Sequence, residues 1–343
     1  MKRVIDMAKL PLYGKIGFRD MPQGANTSLW YNKFCNQWES WDKGLGENKI
    51  HWINTVVGQR GDQEQIQEFV KRRKELVQNN GGVDLLFRTQ GKFVTGLGMN
   101  HPVENGFAWH HTLGTPYIPG TSVKGVVRDY ARTLKEEGKI TIEDIDRIFG
   151  PDNKNTDSRI GSVIFLDAIP VSPVEIVADI MTPHYGPYYS KNEVPGDWHS
   201  PNPIPFLVVD SDQEFLFGIV PRNAEAEKDL KLVEKWLVDA LEQSGAGAKT
   251  AVGYGRFKHI EIKSRGEEWV NDIAREHGKD PSKAITELPK VIRERWMNIE
   301  DPDLMRDIAE ALRKDLVGKN KWKVKAWGQL EKLRSALREY LGE

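Results

Sequence analysis

The order of strand-like and helix-like segments between residues 83 and 263 constrains the fold of this chain more than any other feature. Each segment is identified by the spacing of its apolar residues, which is two for a strand and three to four for a helix. The first segment, 83–98, is strand-like and is broken by a turn at Gln90-Gly91. It is followed by a helix at 121–137, a buried strand at 161–171, a hairpin at 205–221, a helix at 223–243 and a strand at 256–263. With insertions, this is the β-α-β-β-α-β order of a ferredoxin-like fold. We therefore predict an α+β fold.

The pattern changes from Ser264 onward. Strand signals end there, and helical periodicity continues to Glu343 in three or four helices, which are bounded near Pro281, Pro289, Pro302 and Gly318. A length of 343 residues favours about two domains. We predict a ferredoxin-like domain at 1–263 with an N-terminal elaboration, and a C-terminal helical extension at 264–343.

The charge balance excludes some partners. Lys and Arg number 49 and Asp and Glu number 50, so the formal net charge of −1 excludes a basic coat but leaves room for a local basic groove. No stretch approaches the roughly 20 apolar residues that a membrane helix needs, and the start has no apolar signal region. Cys35 is the only cysteine, which excludes an internal disulfide and a cysteine zinc cage. We expect a cytoplasmic protein without membrane contact.

The predicted helix at 121–137 carries an apolar stripe beside a cationic stripe. The cations recur at helical spacing and are Lys124, Arg128, Arg132 and Lys135. Thr121 or Ser122 is the predicted N-cap, and the amides of a helix N-terminus can bind an anion such as phosphate. On spacing alone, however, a solvated basic face explains these cations better than a binding site.

A glycine-rich segment at 244–257 is the second candidate for phosphate contact. Its side chains that could contact a phosphate are Lys249, Thr250, Tyr254 and Arg256. Exposed backbone amides in such a loop can approach a phosphate chain. Ala248 before the lysine excludes a Walker A loop, and Lys258 replaces the third glycine of a dinucleotide fingerprint. A tight helix-to-strand connection is the simpler alternative.

Four of the eight histidines lie in two loops. His110 and His111 follow Trp109, whereas His184 and His199 lie in a proline-rich loop with Asp197. A metal site or an acid–base pair is one interpretation, but no metal-binding histidine spacing occurs. Structural roles or stacking on RNA bases are favoured for His110 and His111. We expect no metal and no cofactor.

Two segments, PYIPGTSVKGVVRDYAR (116–132) and GAKTAVGYGRF (247–257), resemble the paired signatures of the RAMP superfamily of CRISPR proteins. The segments DIMTPHYGPYY (179–189) and PGDWHSPNPIPFLVV (195–209) resemble, within that superfamily, a subunit of type III-B (Cmr) effector complexes. The resemblance runs from about Val83 to Lys263. It implies an RRM-type ferredoxin-like fold that binds RNA.

The resemblance also implies a function. It implies a non-catalytic subunit that binds the guide RNA (crRNA), helps to assemble a complex targeting invading RNA, and caps the RAMP filament near the crRNA 3′ end. The implied partners are crRNA, neighbouring RAMP backbone subunits and small helical subunits, with target RNA nearby. By position, the residues implied to contact the guide backbone are Thr121, Ser122, Lys124, Arg128, Lys249, Thr250, Tyr254 and Arg256. Such groups suit phosphate contact more than base reading.

Two enzymes remain as alternatives. Another RAMP branch cleaves guide precursors without metal, and His110 or His111 would then act as general acid or base, with Lys124 or Lys249 stabilising charge in the transition state. A free-standing enzyme for a phosphate ligand is disfavoured, because the glycine loop fits no mononucleotide motif.

Overall fold

The computed structural model describes residues 20–39, 44–151, 159–183, 186–191, 193–194, 196, 198, 200–261, 264–322 and 328–342. The chain forms two compact units, Met1–Ile260 and Glu261–Glu343. That these units are separate domains stays a prediction. In the part of the chain that the structure describes, no helix is both long and apolar enough to cross a bilayer.

The first unit combines short strands with helices. Its strands are β1 Gly58–Arg60, β2 Val83–Thr89, β3 Asn100–His101, β4 Glu104–Asn105, β5 Trp109–His110, β6 Thr115–Pro116, β7 Val163–Phe165, β8 Ile169–Pro170, β9 Val174–Met181, β10 Ile204–Val209, β11 Glu214–Pro221 and β12 Phe257–Ile260. Its α-helices are α1 Thr27–Lys33, α2 Lys49–Asn54, α3 Gln63–Asn79, α4 Gly120–Glu136, α5 Ile142–Phe149, α6 Gly186–Lys191 and α7 Glu227–Gln243. Short 3-10 helices occur at Gly46–Asn48, Ala224–Ala226 and Thr250–Val252.

The central sheet has the strand order β12-β2-β11-β7, and β8 also pairs with β11. Every pairing in it is antiparallel. Successive side chains of β11 point to opposite faces. Phe217 joins the buried residues of α4 and α7 in the main core, whereas Gly218 lies against Arg73 of α3. Both faces of β11 are therefore covered, which explains its nearly unbroken run of apolar residues.

The predicted hairpin at 205–221 is wrong. β10 pairs with β9 in a second sheet of order β1-β9-β10, whereas β11 lies in the central sheet. A third segment, at Phe93, pairs with β10 in place of β11. The backbone of Phe93 exchanges both hydrogen bonds with Val209, at 2.8 and 2.9 Å. Phe93 therefore occupies the position beside β10 that the predicted hairpin gives to the following strand.

The N-terminal elaboration packs through stacked aromatic rings. Tyr31 stacks on His101 with ring centroids 4.3 Å apart, and Trp52 and Trp109 lie against Tyr31 as well. Burial lowers the pKa of His101 to about 4, so this imidazole is neutral at physiological pH. Trp30 and Trp52 therefore belong to the core.

The second unit is helical, as predicted. Its α-helices are α8 Arg265–Glu276, α9 Ala284–Glu287, α10 Pro289–Met297, α11 Pro302–Gly318 and α12 Gln329–Leu341, with a 3-10 helix at Pro281–Lys283. The prediction of three or four helices was too low, because the segment before Pro289 forms a short helix of its own. A capping box on Ser264 starts α8, and Trp296, Leu312 and Leu333 lie in a core of their own.

Candidate nucleic-acid interface

The two candidate segments meet on adjacent residues of one short stretch. The Thr95 hydroxyl donates a hydrogen bond to the carbonyl oxygen of Tyr117, at 3.0 Å, just before α4. The amide of Ala248 in the glycine loop donates to the carbonyl oxygen of Val94, at 2.9 Å. Tyr117 and Ala248 are about 130 positions apart in the sequence, yet they hydrogen-bond to the neighbouring residues Thr95 and Val94.

Helix α4 begins one residue earlier than predicted. Pro119 is the N-cap, and neither Thr121 nor Ser122 caps the helix. The amide of Gly120 donates to the Asp167 carboxylate at 2.7 Å, and a Cβ on Gly120 would lie 2.4 Å from a backbone carbonyl oxygen. Only glycine fits this contact. The carboxylate already neutralises part of the helix dipole, which weakens the expectation of an open anion site.

Thr121 and Ser122 lie exposed on the first turn of α4, and Lys124 follows half-buried on the next turn. Burial, together with repulsion from Arg128 and Arg222, lowers the pKa of Lys124. Among the described residues, the Lys124 ammonium makes no hydrogen bond or ion pair. A cation with two cationic neighbours and no carboxylate partner is stabilised by an external anion.

Arg128 and Arg222, the cations beside Lys124, each hydrogen-bond to a backbone carbonyl oxygen. Arg128 donates to the carbonyl oxygen of Gly150 at 2.8 Å and so closes the end of α5. Arg222 donates through Nε to the carbonyl oxygen of Gly161 at 2.9 Å. Sequence reasoning missed Arg222. The sequence feature that could have identified it is its position directly after β11. β11 pairs with β7, and β7 contacts the first residue of α4.

The glycines of the second segment serve close packing. The amide of Gly255 donates to the carbonyl oxygen of Lys92, and a Cβ on Gly247 would lie 2.2 Å from the carbonyl oxygen of Val94. These glycines let the loop lie directly on the 92–95 backbone, as the alternative of a tight helix-to-strand connection requires for this part of the loop. The tip of the loop comprises the left-handed Lys249 and the 3-10 turn at Thr250–Val252, followed by Gly253. Lys249 and Thr250 are half-buried, whereas Ala251, Val252 and Gly253 are exposed.

Tyr254 anchors this loop. Its hydroxyl donates to the Asp179 carboxylate of β9 at 2.8 Å, and the Lys92 ammonium donates to the same oxygen at 2.9 Å. Burial and the Asp179 carboxylate raise the pKa of Tyr254 to about 12. The Tyr254 hydroxyl is therefore committed to Asp179, a partner that sequence reasoning did not find.

The two cations of the loop, Lys249 and Arg256, have different contacts. The Lys249 ammonium lies 5.7 Å from the centroid of the Phe206 ring, within the range of a cation–π contact. Arg256 is half-buried, and its guanidinium makes no hydrogen bond or ion pair with a described residue. Lys249 and Arg256 therefore both keep donors for a phosphate.

His110 has a structural position. Its Nδ1 accepts a hydrogen bond from the amide of Leu113 at 3.2 Å, and its ring packs edge-on against Phe69 and Tyr117. Burial lowers the pKa of His110. His111 is exposed, which leaves its imidazole open to stacking.

His184, His199 and Asp197 lie outside the described residues. Within the described ranges, no group of three or more His, Cys, Asp or Glu side chains is arranged to hold a metal ion.

The sheet, its two flanking helices and the paired segments define a class of protein. The RAMP superfamily profile matches residues 86–258, which is half of the chain and includes both segments. The chain belongs to the RAMP superfamily.

Within that superfamily it is homologous to Cmr6. It is 34% identical to the CRISPR system Cmr subunit Cmr6 of Pyrococcus furiosus, over 50% of this chain and 66% of the relative. It is 29% identical to the CRISPR system CMR subunit Cmr6 of Saccharolobus solfataricus, over 46% of this chain and 50% of the relative. The chain thus spans between half and about two thirds of the length of these relatives.

A solved structure shares the fold. The cryo-EM structure of the type III-B Cmr-beta complex bound to cognate target RNA contains a chain with a TM-score of 0.50 to this one. The two are 24% identical, over 65% of this chain and 74% of that chain. At this identity, the likeness concerns the fold alone.

Proposed function

We propose that this protein is a non-catalytic subunit of a type III-B CRISPR effector complex, in which it binds the guide RNA and caps the RAMP filament near the crRNA 3′ end. Homology to Cmr6 supports the complex. The observation that supports the RNA-binding role is that the segment before α4 and the glycine loop, the two cation-bearing signature segments, both hydrogen-bond to the Val94–Thr95 stretch.

We further infer that the first unit is ferredoxin-like. The order β12-β2-β11-β7, with α4 between β2 and β7 and α7 between β11 and β12, supports this inference. In this proposal residues 264–343 are an extension of that domain, and the neighbouring RAMP and small helical subunits and the target RNA are partners of the assembled complex.

The chemistry of the site favours binding over cleavage. Lys124, Lys249 and Arg256 are cations that suit phosphate oxygens. His110, the candidate acid–base group of the alternative enzyme, accepts a hydrogen bond from a backbone amide and packs between two rings. No observation favours the endoribonuclease, so the binding role is the one we propose.

Salt titration of RNA binding tests the proposal. Single-stranded RNA bound through phosphates loses affinity with salt, at a slope of about −0.7 in log K against log[salt] for each neutralised phosphate. Lys124→Ala should weaken binding to RNAs of unrelated sequence equally and reduce the slope by about 0.7. Lys249→Ala combined with Arg256→Ala should reduce it by about twice that amount. Fluorescence anisotropy with labelled RNA measures both.

The matched control is Lys71→Ala, an exposed lysine on α3. It should leave slope and affinity unchanged. A loss for only one RNA sequence, at an unchanged salt slope, would contradict the phosphate-contact role. Metal-independent cleavage of repeat RNA that is abolished by His110→Ala or His111→Ala would establish the enzyme instead.

A further inference from the structure

Arg73 of α3 lies outside the stretch that matches the RAMP superfamily, yet it contacts the residue that holds the start of α4. Its Nη1 donates a hydrogen bond to the carbonyl oxygen of Asp167 at 2.9 Å. Asp167 lies between β7 and β8, and its carboxylate accepts from the amide of Gly120, the first residue of α4, at 2.7 Å. Arg73 is therefore connected through one residue to the N-terminus of α4.

Gly218 of β11 leaves the room that the Arg73 guanidinium occupies. A Cβ on Gly218 would lie 2.7 Å from Nη2 of Arg73 and 2.9 Å from Oδ1 of Asp84. Gly218 does not have a left-handed φ, so the strand backbone itself would accept an alanine. Space for the Arg73 side chain, and not backbone freedom, is what glycine provides at this position.

Stability alone does not explain Arg73. Burial lowers the pKa of Arg73 and raises the pKa of Asp84 to about 6, and the attraction between the two charges opposes both shifts. Within the described part of the chain, Nε and Nη2 of Arg73 are buried and have no hydrogen-bond partner. Buried donors without acceptors cost free energy, and apolar residues often replace buried charges without loss. The hydrogen bond that this guanidinium does make is the one to Asp167.

The start of α4 determines where Lys124 lies, because Lys124 follows Gly120 by about one helical turn. Ile118, just before the helix, exchanges both backbone hydrogen bonds with Ala168, at 2.8 and 3.0 Å. The Asp167 carboxylate then holds the Gly120 amide. The turn that carries Lys124 is thus fixed on residues 167–168, and Arg73 holds the carbonyl group between them.

We propose that Arg73 is a positioning residue for RNA binding. Through Asp167 it fixes the first turn of α4, and with it Lys124, in the orientation that meets a phosphate. The proposal rests on the RNA-binding role proposed above. It gives α3, which precedes the stretch matching the superfamily, a part in that role.

Arg73→Gln in the full chain tests the proposal, with Arg72→Gln as the matched control. Arg72 is the next residue on the same helix, is exposed and pairs with Glu68, so both changes remove one cation from α3. Fluorescence anisotropy with labelled RNAs of unrelated sequence should show about fivefold weaker binding for Arg73→Gln. Arg72→Gln should bind as wild type does.

A double-mutant cycle with Lys124→Ala separates positioning from a general loss of stability. If Arg73 acts through Lys124, Arg73→Gln should weaken binding in the wild-type background and cause no further loss in the Lys124→Ala background. The Gly120 amide resonance provides a reading without RNA. It should shift in Arg73→Gln and stay in place in Arg72→Gln, because its hydrogen bond to Asp167 changes only in the first variant.

Gly218→Ala is a second variant that keeps every charge, and it carries the same tests if Arg73→Gln does not fold. Its Cβ displaces the guanidinium, so it should reproduce both the weaker binding and the Gly120 shift. Wild-type RNA affinity, an equal loss in the wild-type and Lys124→Ala backgrounds, or an unmoved Gly120 amide would each overturn the proposal. Unchanged RNA binding in Lys124→Ala itself would instead overturn the RNA-binding role.

Discussion

Tyr254→Phe distinguishes two roles for a residue that the family resemblance assigns to RNA. By resemblance, the Tyr254 hydroxyl contacts the guide backbone. In the structure it donates to Asp179 at 2.8 Å and so ties the glycine loop to β9. The substitution removes only the hydroxyl and leaves the ring against Phe206. A loss of stability and a loss of RNA affinity are therefore separable outcomes.

The size of the stability loss in Tyr254→Phe follows from the hydrogen-bond partners of Asp179. A hydrogen bond to a charged group contributes about 1.5–3 kcal/mol. The Asp179 carboxylate keeps its bonds from the Lys92 ammonium and the Ile180 amide after the change, so it is not left unpaired. We therefore expect the lower end, a loss of about 1.5 kcal/mol. For a unit of this size, that lowers the melting temperature by about 3 °C.

The effect depends on pH through Asp179. Partial burial acts to raise the pKa of Asp179, but hydrogen bonds from Lys92, Tyr254 and Ile180 outweigh it and leave the pKa below its ordinary value. A depressed folded-state pKa adds stability above the unfolded value of about 3.9, and this stability is lost as the pH falls through the folded value. The cost of Tyr254→Phe should therefore be complete at pH 7 and shrink below about pH 4.

Thermal unfolding at pH 7 and pH 3.5, with RNA anisotropy at neutral pH, measures these quantities. The control is Tyr189→Phe, which removes a hydroxyl from a ring that is 80% exposed and should be neutral in every assay. We expect Tyr254→Phe to keep the salt slope of RNA binding. An unchanged melting temperature with weakened RNA binding would refute the anchoring role. It would indicate instead that the Tyr254 hydroxyl contacts RNA.

Three further predictions concern stability. Gly247→Ala should cost at least 1 kcal/mol more than Gly253→Ala in urea unfolding, because both have positive φ but only at Gly247 would a Cβ clash with a carbonyl oxygen, at 2.2 Å; equal costs would contradict the packing role. Asp229→Ala should cost about 1–2 kcal/mol, because it removes the hydrogen bonds that Asp229 accepts from Arg147 and Ser162 while Arg147 keeps Asp144, and Asp229→Asn should cost less; a neutral Asp229→Ala would contradict this. Burial lowers the pKa of His110, so its contribution to stability is complete above about pH 6.5 and lost below it, and an NMR titration that finds an unshifted His110 would disprove this.

Local signals located the elements of the site correctly. The apolar stripe of α4 includes Val123 and Val127, which are buried as predicted, and the glycine segment does connect α7 to β12. The start of helix α5 is also set locally, because Thr141 and Asp144 form a capping box within four residues. Each of these features depends on neighbours in the sequence, so periodicity and capping preferences suffice.

The sequence did not predict the non-local contacts of the site. Asp167 meets Gly120 across 47 residues, and Tyr254 meets Asp179 across 75. Both pairs depend on which strands adjoin, and the pairing of Phe93 with Val209 changed that arrangement from the predicted hairpin. Sequence reasoning therefore named candidate residues, but it could not separate Tyr254, which holds the loop, from Lys249 and Arg256, which keep donors for a phosphate.

Ultraviolet cross-linking of the natively purified complex, with mass spectrometry of the cross-linked peptides and sequencing of the attached RNA, tests the central claim most directly. We predict cross-links from residues 116–132 and 247–257 of this chain to intact guide RNA, in its 3′ portion. Cross-links confined to other subunits, or to the 5′ portion of the guide, would contradict the account.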